Sequence, residues 1–369
     1  MLLGFIIVLS CASQPPISST PSNTAEAINT AQLSSTLQAT PILVFTETPA
    51  LFPKDLTEMP STIDEGIKHA QVSPNGNFVV FITSTSLYIY SLELSKIINF
   101  IETNSDIGSV AISPDSQIVV IGTKEKMFVN SLNDGSLITT IDKSVTNLVF
   151  SPDGQKIAIG MGNWKWCRGG DSLELWQVSN WSLLQTLPSS NQLDCFSGLT
   201  FSPSGTYLAA SAFEVLVWEI GEDSSILKVR SQGCDVFEAS LAFTSNEKTL
   251  VAGTLADSGR NVICLIRLAD GEILGALDKA NKSDYSCGSQ VLISPDGELM
   301  ASNLDGKVTI WQIGDWKQIQ SLNVEENCPQ LSGWFPDGKI LTFLLPDGSL
   351  QFLSTQTGKI IRSVSLTNQ

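Results

Sequence analysis

One histidine, His69, occurs among 369 residues. Imidazole is the side chain most often used for general acid–base transfer near neutral pH, so histidine-based hydrolysis is poorly provided for. The chain has no Gly-x-Ser-x-Gly elbow and no Gly-x-x-x-x-Gly-Lys followed by Ser or Thr, which removes the usual serine-hydrolase and phosphate-cradling readings. It has no Cys-x-x-Cys pair, the close spacing that zinc sites favour. Basic residues are scarce: 21 Lys and Arg stand against 37 Asp and Glu, for a net charge of −16. Such a surface repels a phosphate backbone and anionic lipid alike, so no nucleic-acid partner is expected. No apolar run approaches the roughly 20 residues that cross a bilayer as a helix. Helix-forming residues cluster nowhere.

The N-terminus carries a short apolar run, Leu2 to Leu9, followed by Ser10-Cys11, with no Lys or Arg before Lys54. The run has the size of the hydrophobic region of a signal peptide. Val8-Leu9-Ser10-Cys11 resembles the lipobox of bacterial lipoproteins, which implies cleavage before Cys11 and lipidation of that cysteine. Residues 1–11 are therefore expected to be a signal peptide. The expected location is outside the cytoplasm, anchored to a bacterial membrane by the N-terminal lipid. Residues 12–62 are rich in Ser, Thr, Pro, Ala and Gln, and Glu26 is the one charged residue between Ala12 and Thr46. Too little apolar surface is present there to offset the entropy of ordering, so a disordered tether is expected. A flexible spacer of about 50 residues has a root-mean-square reach of about 40 Å. Ile42 to Met59 is the one stretch there with the character of an added edge strand.

From residue 63 to 369 the texture changes to short runs of Val, Ile, Leu and Phe separated by turn residues, the pattern of an all-β fold. A four-residue turn recurs seven times: Ser73-Pro74-Asn75-Gly76, Ser113-Pro114-Asp115-Ser116, Ser151-Pro152-Asp153-Gly154, Ser202-Pro203-Ser204-Gly205, Thr244-Ser245-Asn246-Glu247, Ser294-Pro295-Asp296-Gly297 and Phe335-Pro336-Asp337-Gly338. Successive turns are 40, 38, 51, 42, 50 and 41 residues apart. Proline presets φ at the second position, Asp or Asn accepts local backbone bonds, and Gly takes positive φ. An apolar strand precedes each turn (Val110-Ala111-Ile112, Leu148-Val149-Phe150) and another follows it (Gln117 to Gly122, Lys156 to Gly160). A third strand follows, often ending in Trp (Leu173 to Val178, Val215 to Ile220, Val308 to Ile313). A fourth closes the unit (Leu183 to Leu187, Ile319 to Leu322, Ile360 to Val364). Four strands in a repeat of about 40–45 residues predict a propeller blade. Seven repeats predict a seven-bladed β-propeller of four-stranded antiparallel blades. The centre of the first strand reads Gln71, Ala111, Val149, Thr200, Ala242, Leu292 and Gly333, mostly the small or medium residues that a crowded axis needs.

Residues 66 to 369 resemble the WD-repeat family of β-propellers. The Ser-Pro-Asp-Gly turns carry the resemblance, together with Leu175-Trp176-Gln177, Val217-Trp218-Glu219 and Ile310-Trp311-Gln312. The family's Trp-Asp dipeptide and Gly-His pair are absent, and His69 falls inside the first strand. The buried Asp-His-Ser-Trp network of typical members therefore cannot form, and other contacts must hold the blades. The chain runs from strand one of the first unit to strand four of the last, which leaves no evident strand exchange to close the ring.

Six cysteines remain beyond Cys11: Cys167, Cys195, Cys234, Cys264, Cys287 and Cys328. An even number in an exported chain suggests disulfides. Cys195, Cys287 and Cys328 each lie seven residues before an aligned turn, and Cys234 lies ten before. All four thus fall in connections that enter a new blade, on one face of the ring. Cys167 lies in an insertion that opens on the same face. Fifteen pairings are possible; Cys167–Cys195, Cys234–Cys264 and Cys287–Cys328 are the expected set.

The insertion at 162–171 also holds Trp164, Trp166 and Arg168, the residue types of binding hot spots. Both indoles have the alternative role of covering the blade rim. Entry loops on this face add Asp106, Asp194, Asp235, Asp284, Glu325 and Glu326, which either form an acidic ring for a cation or basic peptide, or are simply solvated. Trp181 and Trp316 occupy matching hairpin sites and are expected to be structural. These features predict a non-enzymatic scaffold for a protein or peptide, needing no metal or cofactor. The alternatives are a divalent-metal-dependent hydrolase of the lactonase-like propeller type, using Asp194, Asp235 and Asp284, and a structural subunit of an envelope complex.

Overall fold

The computed structural model describes residues 59–161, 172–187, 196, 198–212, 214–221, 225–229, 239–255, 261–279, 289–304, 306–324 and 328–367. Residues 1–58, which include Cys11 and hold the expected signal segment and most of the expected tether, lie outside them. The chain divides into two units, Met1–Pro49 and Ala50–Gln369, of which the second is the subject below.

Its strands form seven separate four-stranded sheets, each built from strands consecutive in the chain. Blade 1 is β1 (His69–Val72), β2 (Phe78–Ile82), β3 (Ser86–Ser91) and β4 (Lys96–Glu102), and blade 2 is β5 (Ile107–Ile112), β6 (Ile118–Thr123), β7 (Met127–Ser131) and β8 (Leu137–Ile141). Blade 3 comprises β9 (Asn147–Phe150), β10 (Lys156–Met161), β11 (Ser172–Gln177) and β12 (Ser182–Leu187); blade 4 comprises β13 (Gly198–Phe201), β14 (Tyr207–Ser211), β15 (Val215–Glu219) and β16 (Ser225–Val229). Blade 5 holds β17 (Ser240–Phe243), β18 (Thr249–Leu255), β19 (Asn261–Arg267) and β20 (Ile273–Lys279), and blade 6 holds β21 (Val291–Ile293), β22 (Leu299–Leu304), β23 (Lys307–Gln312) and β24 (Gln318–Asn323). Blade 7 is β25 (Gln330–Trp334), β26 (Ile340–Leu344), β27 (Ser349–Ser354) and β28 (Ile360–Ser365). All pairings within blades are antiparallel, as in Ala158↔Val149 and Ala158↔Leu175 of blade 3.

Six of the seven recurring turns do the same local work; in blade 7 Phe335 has no hydroxyl, and the bond from Lys339 N–H to Asp337 is the part that is kept. In blade 3 the Ser151 hydroxyl donates to Asp153 at 2.5 Å, Asp153 accepts the Gln155 N–H at 3.0 Å, and Ser151 Oγ accepts the Lys156 N–H at 2.9 Å. Blade 6 repeats this with Ser294, Asp296, Glu298 and Leu299. The fourth residue sits at positive φ in every blade, from +55° at Glu247 to +75° at Gly205. Left-handed backbone favours glycine, yet Ser116 and Glu247 hold this position in blades 2 and 5. Each reaches the turn of the preceding blade. Ser116 Oγ accepts the Asn75 N–H at 3.0 Å, and Glu247 Oε1 accepts the Ser204 N–H at 2.6 Å. Burial opposes ionisation of Glu247, but the Ser204 N–H and the hydroxyls of Ser204 and Ser202 outweigh it and hold its carboxyl below the usual range. Ser116 is fully buried. Ser116→Ala should therefore lower unfolding free energy by about 1–2 kcal/mol, because it keeps the strained φ and strands a donor. Ser116→Gly should cost less, since relief of strain offsets part of the loss. Urea denaturation of the two variants checks the order; an Ala variant as stable as wild type contradicts it.

A blade buries its faces only against its neighbours, so the core is divided among the junctions. Seven apolar clusters fill them, one to each pair of adjacent blades. The cluster between blades 3 and 4 contains Leu173, Leu175, Phe201 and the fully buried Trp218. The cluster joining blades 7 and 1 contains Val79, Phe81, Leu350 and Phe352, so the circle is complete.

No strand is exchanged between first and last blades among the described residues, as the order of repeats implies. Three short contacts serve instead. Ile63, only 1% exposed, bridges to Thr367, its N–H donating to Leu366 O at 2.6 Å. Arg362 of β28 donates to Ser95 Oγ of blade 1 at 3.1 Å while covering the Phe352 ring. His69 of β1 bonds the side chain of Gln330 on β25. The expected edge strand at Ile42 to Met59 lies outside the described residues except for Met59.

The outermost strands leave an open hydrogen-bonding edge. In six of the seven blades the register between strands three and four shifts, for example at Leu175/Trp176 and Ile310/Trp311. Bulges of this kind twist an edge away from further pairing.

Candidate functional site: the loop-bearing face and the channel mouth

Chain direction assigns the two faces of the ring. Turns between strands one and two, and between strands three and four, share one face. Connections between strands two and three, and from each blade to the next, share the other. The insertion at 162–171 and the cysteine-bearing entry loops belong to this second face. Trp164, Trp166, Arg168, Asp194, Asp235 and Asp284 all lie outside the described residues, as do Cys167, Cys195, Cys234, Cys287, Glu325 and Glu326. The structure therefore describes the frame that carries these loops.

That frame is polar where the innermost strands begin. Ser109 Oγ on β5 accepts the Leu148 N–H of blade 3 at 3.0 Å, and Asn147 on β9 donates to Phe196 O, ahead of blade 4, at 2.6 Å. Ser211 of blade 4 donates to Ala239 O at the entry to blade 5 at 2.8 Å. Ser240 of blade 5 accepts the Val291 N–H of blade 6 at 3.2 Å, and Gln290 Oε1 accepts the Leu331 N–H of blade 7 at 2.7 Å. Asn303 of blade 6 donates to Pro329 O, and Gln330 of blade 7 bonds His69 of blade 1. Between blades 1 and 2 the link is backbone alone, Ile107 N–H to Ser84 O at 2.8 Å. Every junction thus has a polar tie, and side chains provide it at six of the seven. This collar ties the blades together across their junctions. Inside blade 6, Trp311 Nε1 donates to Ser302 Oγ at 2.9 Å. In blade 3 the indole of Trp176 instead donates to Glu174 at 2.8 Å. The buried Glu174 is also bound by Lys143 at 3.0 Å, from the connection between blades 2 and 3.

His69 sits in this collar as a tie between blades. Burial lowers its pKa from 6.5, against the opposing effect of the Gln330 bond, so the imidazole is held neutral. A histidine whose folded pKa is depressed stabilises fully above its unfolded value; stability falls as pH drops below it, because the unfolded chain takes up a proton that the folded one resists. Thermal stability should therefore decline as pH is lowered through about 6.5, and the slope should lessen in His69→Gln. Superimposable pH–Tm curves for the two proteins would contradict this.

Of the loop carboxylates named from sequence, Asp106 is described, and its charge is taken up by Lys124. That ion pair, with the hydrogen bond it contains, pulls the Asp106 carboxyl below its usual pKa. It is not a free member of an acidic ring. Trp181 and Trp316 both have positive φ, +54° and +57°, and pack on the clusters of the 2–3 and 5–6 junctions. Cys264 is buried within the cluster between blades 4 and 5, and Cys328 is half-buried before β25. Among the described residues, no group of three or more His, Cys, Asp or Glu is placed to hold a metal ion, and no helix is long and apolar enough to cross a membrane. Sequence reasoning missed the collar, because Ser109, Asn147, Gln290 and Gln330 carry no motif that marks them.

Fold and frame define a class: an all-β, seven-bladed β-propeller whose blades are closed four-stranded meanders. No family model and no curated protein matches the chain. Among solved structures it is similar to a chain of the Kuenenia stuttgartiensis hydrazine synthase, with a TM-score of 0.60 over 82% of this chain and 98% of that one. At 13% identity the likeness is one of fold.

Proposed function

We propose that the chain is a WD-like propeller that binds a protein or peptide on its loop-bearing face, without catalysis, outside a bacterial membrane to which Cys11 anchors it. The observation that carries this reading is the polar collar. The polar side chains at the entry ends of the innermost strands are spent on holding blades together, which leaves recognition to the loops above them. Length is added to the repeat on that face, at 162–171 and in the entry loops, while the opposite face keeps near-identical four-residue turns. A rigid ring with variable loops on one side suits recognition of a large partner. Trp164, Trp166 and Arg168 supply the anchors, and Asp194, Asp235 and Asp284 supply charge for a basic ligand.

The six cysteines are inferred to brace that face as Cys167–Cys195, Cys234–Cys264 and Cys287–Cys328. One observation favours the pairing. The Gln290–Leu331 bond spans 41 residues, the same offset that separates Cys287 from Cys328 in the two entry loops. Non-reducing peptide mapping that joins Cys264 to any cysteine but Cys234 would refute it.

Affinity capture from cell-surface extract, with mass spectrometry, tests the main reading. Trp164→Ala/Trp166→Ala should lose at least ten-fold of the captured partner, about 1.4 kcal/mol or more. Undiminished capture would remove this face as the contact. A calcium or manganese titration by calorimetry separates the hydrolase alternative; no heat is expected, and saturable heat would favour that alternative.

A further inference from the structure

We propose that the outer cleft between blades 6 and 7 is a binding site for a small neutral molecule carrying a hydrogen-bond donor on an apolar body. The argument begins with a position that recurs on strand four. Asn99 pairs with Ile89 in blade 1, and Gln320 pairs with Ile310 in blade 6, both at the residue just before the register shift. Each side chain reaches across to the three–four turn of the next blade. Asn99 Nδ2 donates to Asp134 O, and Gln320 Nε2 donates to Thr355 O. The two junctions then diverge. In blade 1 the second amide atom is used, since Asn99 Oδ1 accepts the Phe100 N–H at 2.8 Å. In blade 6 it is not: Gln320 Oε1 is buried and accepts no hydrogen bond.

A cavity of about 170 Å³ lies beside that oxygen, lined by Val308, Gln320, Ser321, Leu322, Leu353 and Gly358. Gly358, at φ +65°, leaves it open, for a Cβ there would stand 3.4 Å from Gln320 Cδ. A buried acceptor without a donor is costly, and turning the amide over would set two carbonyl oxygens against each other at Thr355. The occupant must therefore bring the donor. The lining has no charged side chain, which selects a neutral molecule. Val308, Leu322 and Leu353 offer an apolar wall, and Ser321 is already engaged with Thr309 at 3.3 Å. The volume suits a single ring of about benzene size.

Phenol and toluene are the probes, matched in shape and differing in the donor. Binding is followed by NMR on the methyl groups of Val308, Leu322 and Leu353, in the full propeller and in Gln320→Met. Phenol should give saturable shifts at these methyls and bind at least ten-fold more tightly than toluene. In Gln320→Met that preference should vanish. The wild-type comparison alone decides the matter if the variant does not fold. Saturable shifts with neither probe would mean that the cleft holds water only, and equal affinity for both would mean that Gln320 Oε1 is not the recognition element; each result overturns the proposal.

Discussion

Trp218→Ala is expected to cost about 3–5 kcal/mol of unfolding free energy, the range for removing a large aromatic side chain from a packed interior. Trp218 has no exposed surface and packs with Phe196, the two rings 6.0 Å apart and tilted by 66°. Its neighbours come from two blades: Leu173, Leu175 and Leu187 of blade 3, and Phe201, Leu208 and Leu216 of blade 4. The neighbours sit on paired strands and cannot collapse into the vacated space without breaking register. Trp176 and Trp311 occupy the same place in blades 3 and 6 but retain 8% and 6% exposure. Their alanine variants should lose less. Equilibrium denaturation with guanidinium measures all three; a Trp218→Ala loss below that of Trp311→Ala would contradict the packing described here.

Gly253→Ala is expected to be clearly destabilising although it adds a single methyl group. A Cβ on Gly253 of β18 would stand 2.5 Å from Ser289 O and 3.2 Å from Val291 Cγ1, at the entry to blade 6. The nearest atom is backbone, so a rotamer change cannot relieve the overlap; the entry to blade 6 must move. Overpacking of this kind costs about 1–3 kcal/mol and occasionally more. The same displacement would pull Val291 N–H from Ser240 Oγ, so both the apolar cluster and the collar would suffer at one junction. Gly275→Ala is the control, because nothing lies within 4 Å of a Cβ there. Melting temperatures should fall by several degrees for Gly253→Ala and by little for Gly275→Ala. Equal melting temperatures would show that blades 5 and 6 are not held as tightly as the close approach of Gly253 to Ser289 requires.

The seven turns were legible because turn chemistry is local. Ser, Pro, Asp and Gly within four residues set their own dihedrals, and Asp153 or Asp296 closes its turn without help from any other blade. The strands followed from the same locality, Leu148 to Phe150 before a turn and Lys156 onward after it. Contacts between blades were not legible. The bond from Ser109 to Leu148 spans 39 residues and that from Ser240 to Val291 spans 51, and no single-chain pattern singles out a serine for such a task. Ser116 and Glu247 read as departures from the Gly rule; only the neighbouring turn shows what their side chains gain. The closing contacts at Ile63, His69 and Arg362 were hidden for the same reason. The proposed binding residues, Trp164, Trp166 and Arg168, were read from hot-spot chemistry.

The central claim is a division of labour: the blades and their collar hold the ring, and the loops on one face recognise the partner. It is tested most directly by measuring, on one preparation of Trp164→Ala/Trp166→Ala, both the affinity for the captured partner and the melting temperature. The account predicts affinity reduced at least ten-fold with the melting temperature unchanged within about 2 °C. Full affinity would contradict it, and so would an affinity loss that only accompanies a collapse in thermal stability.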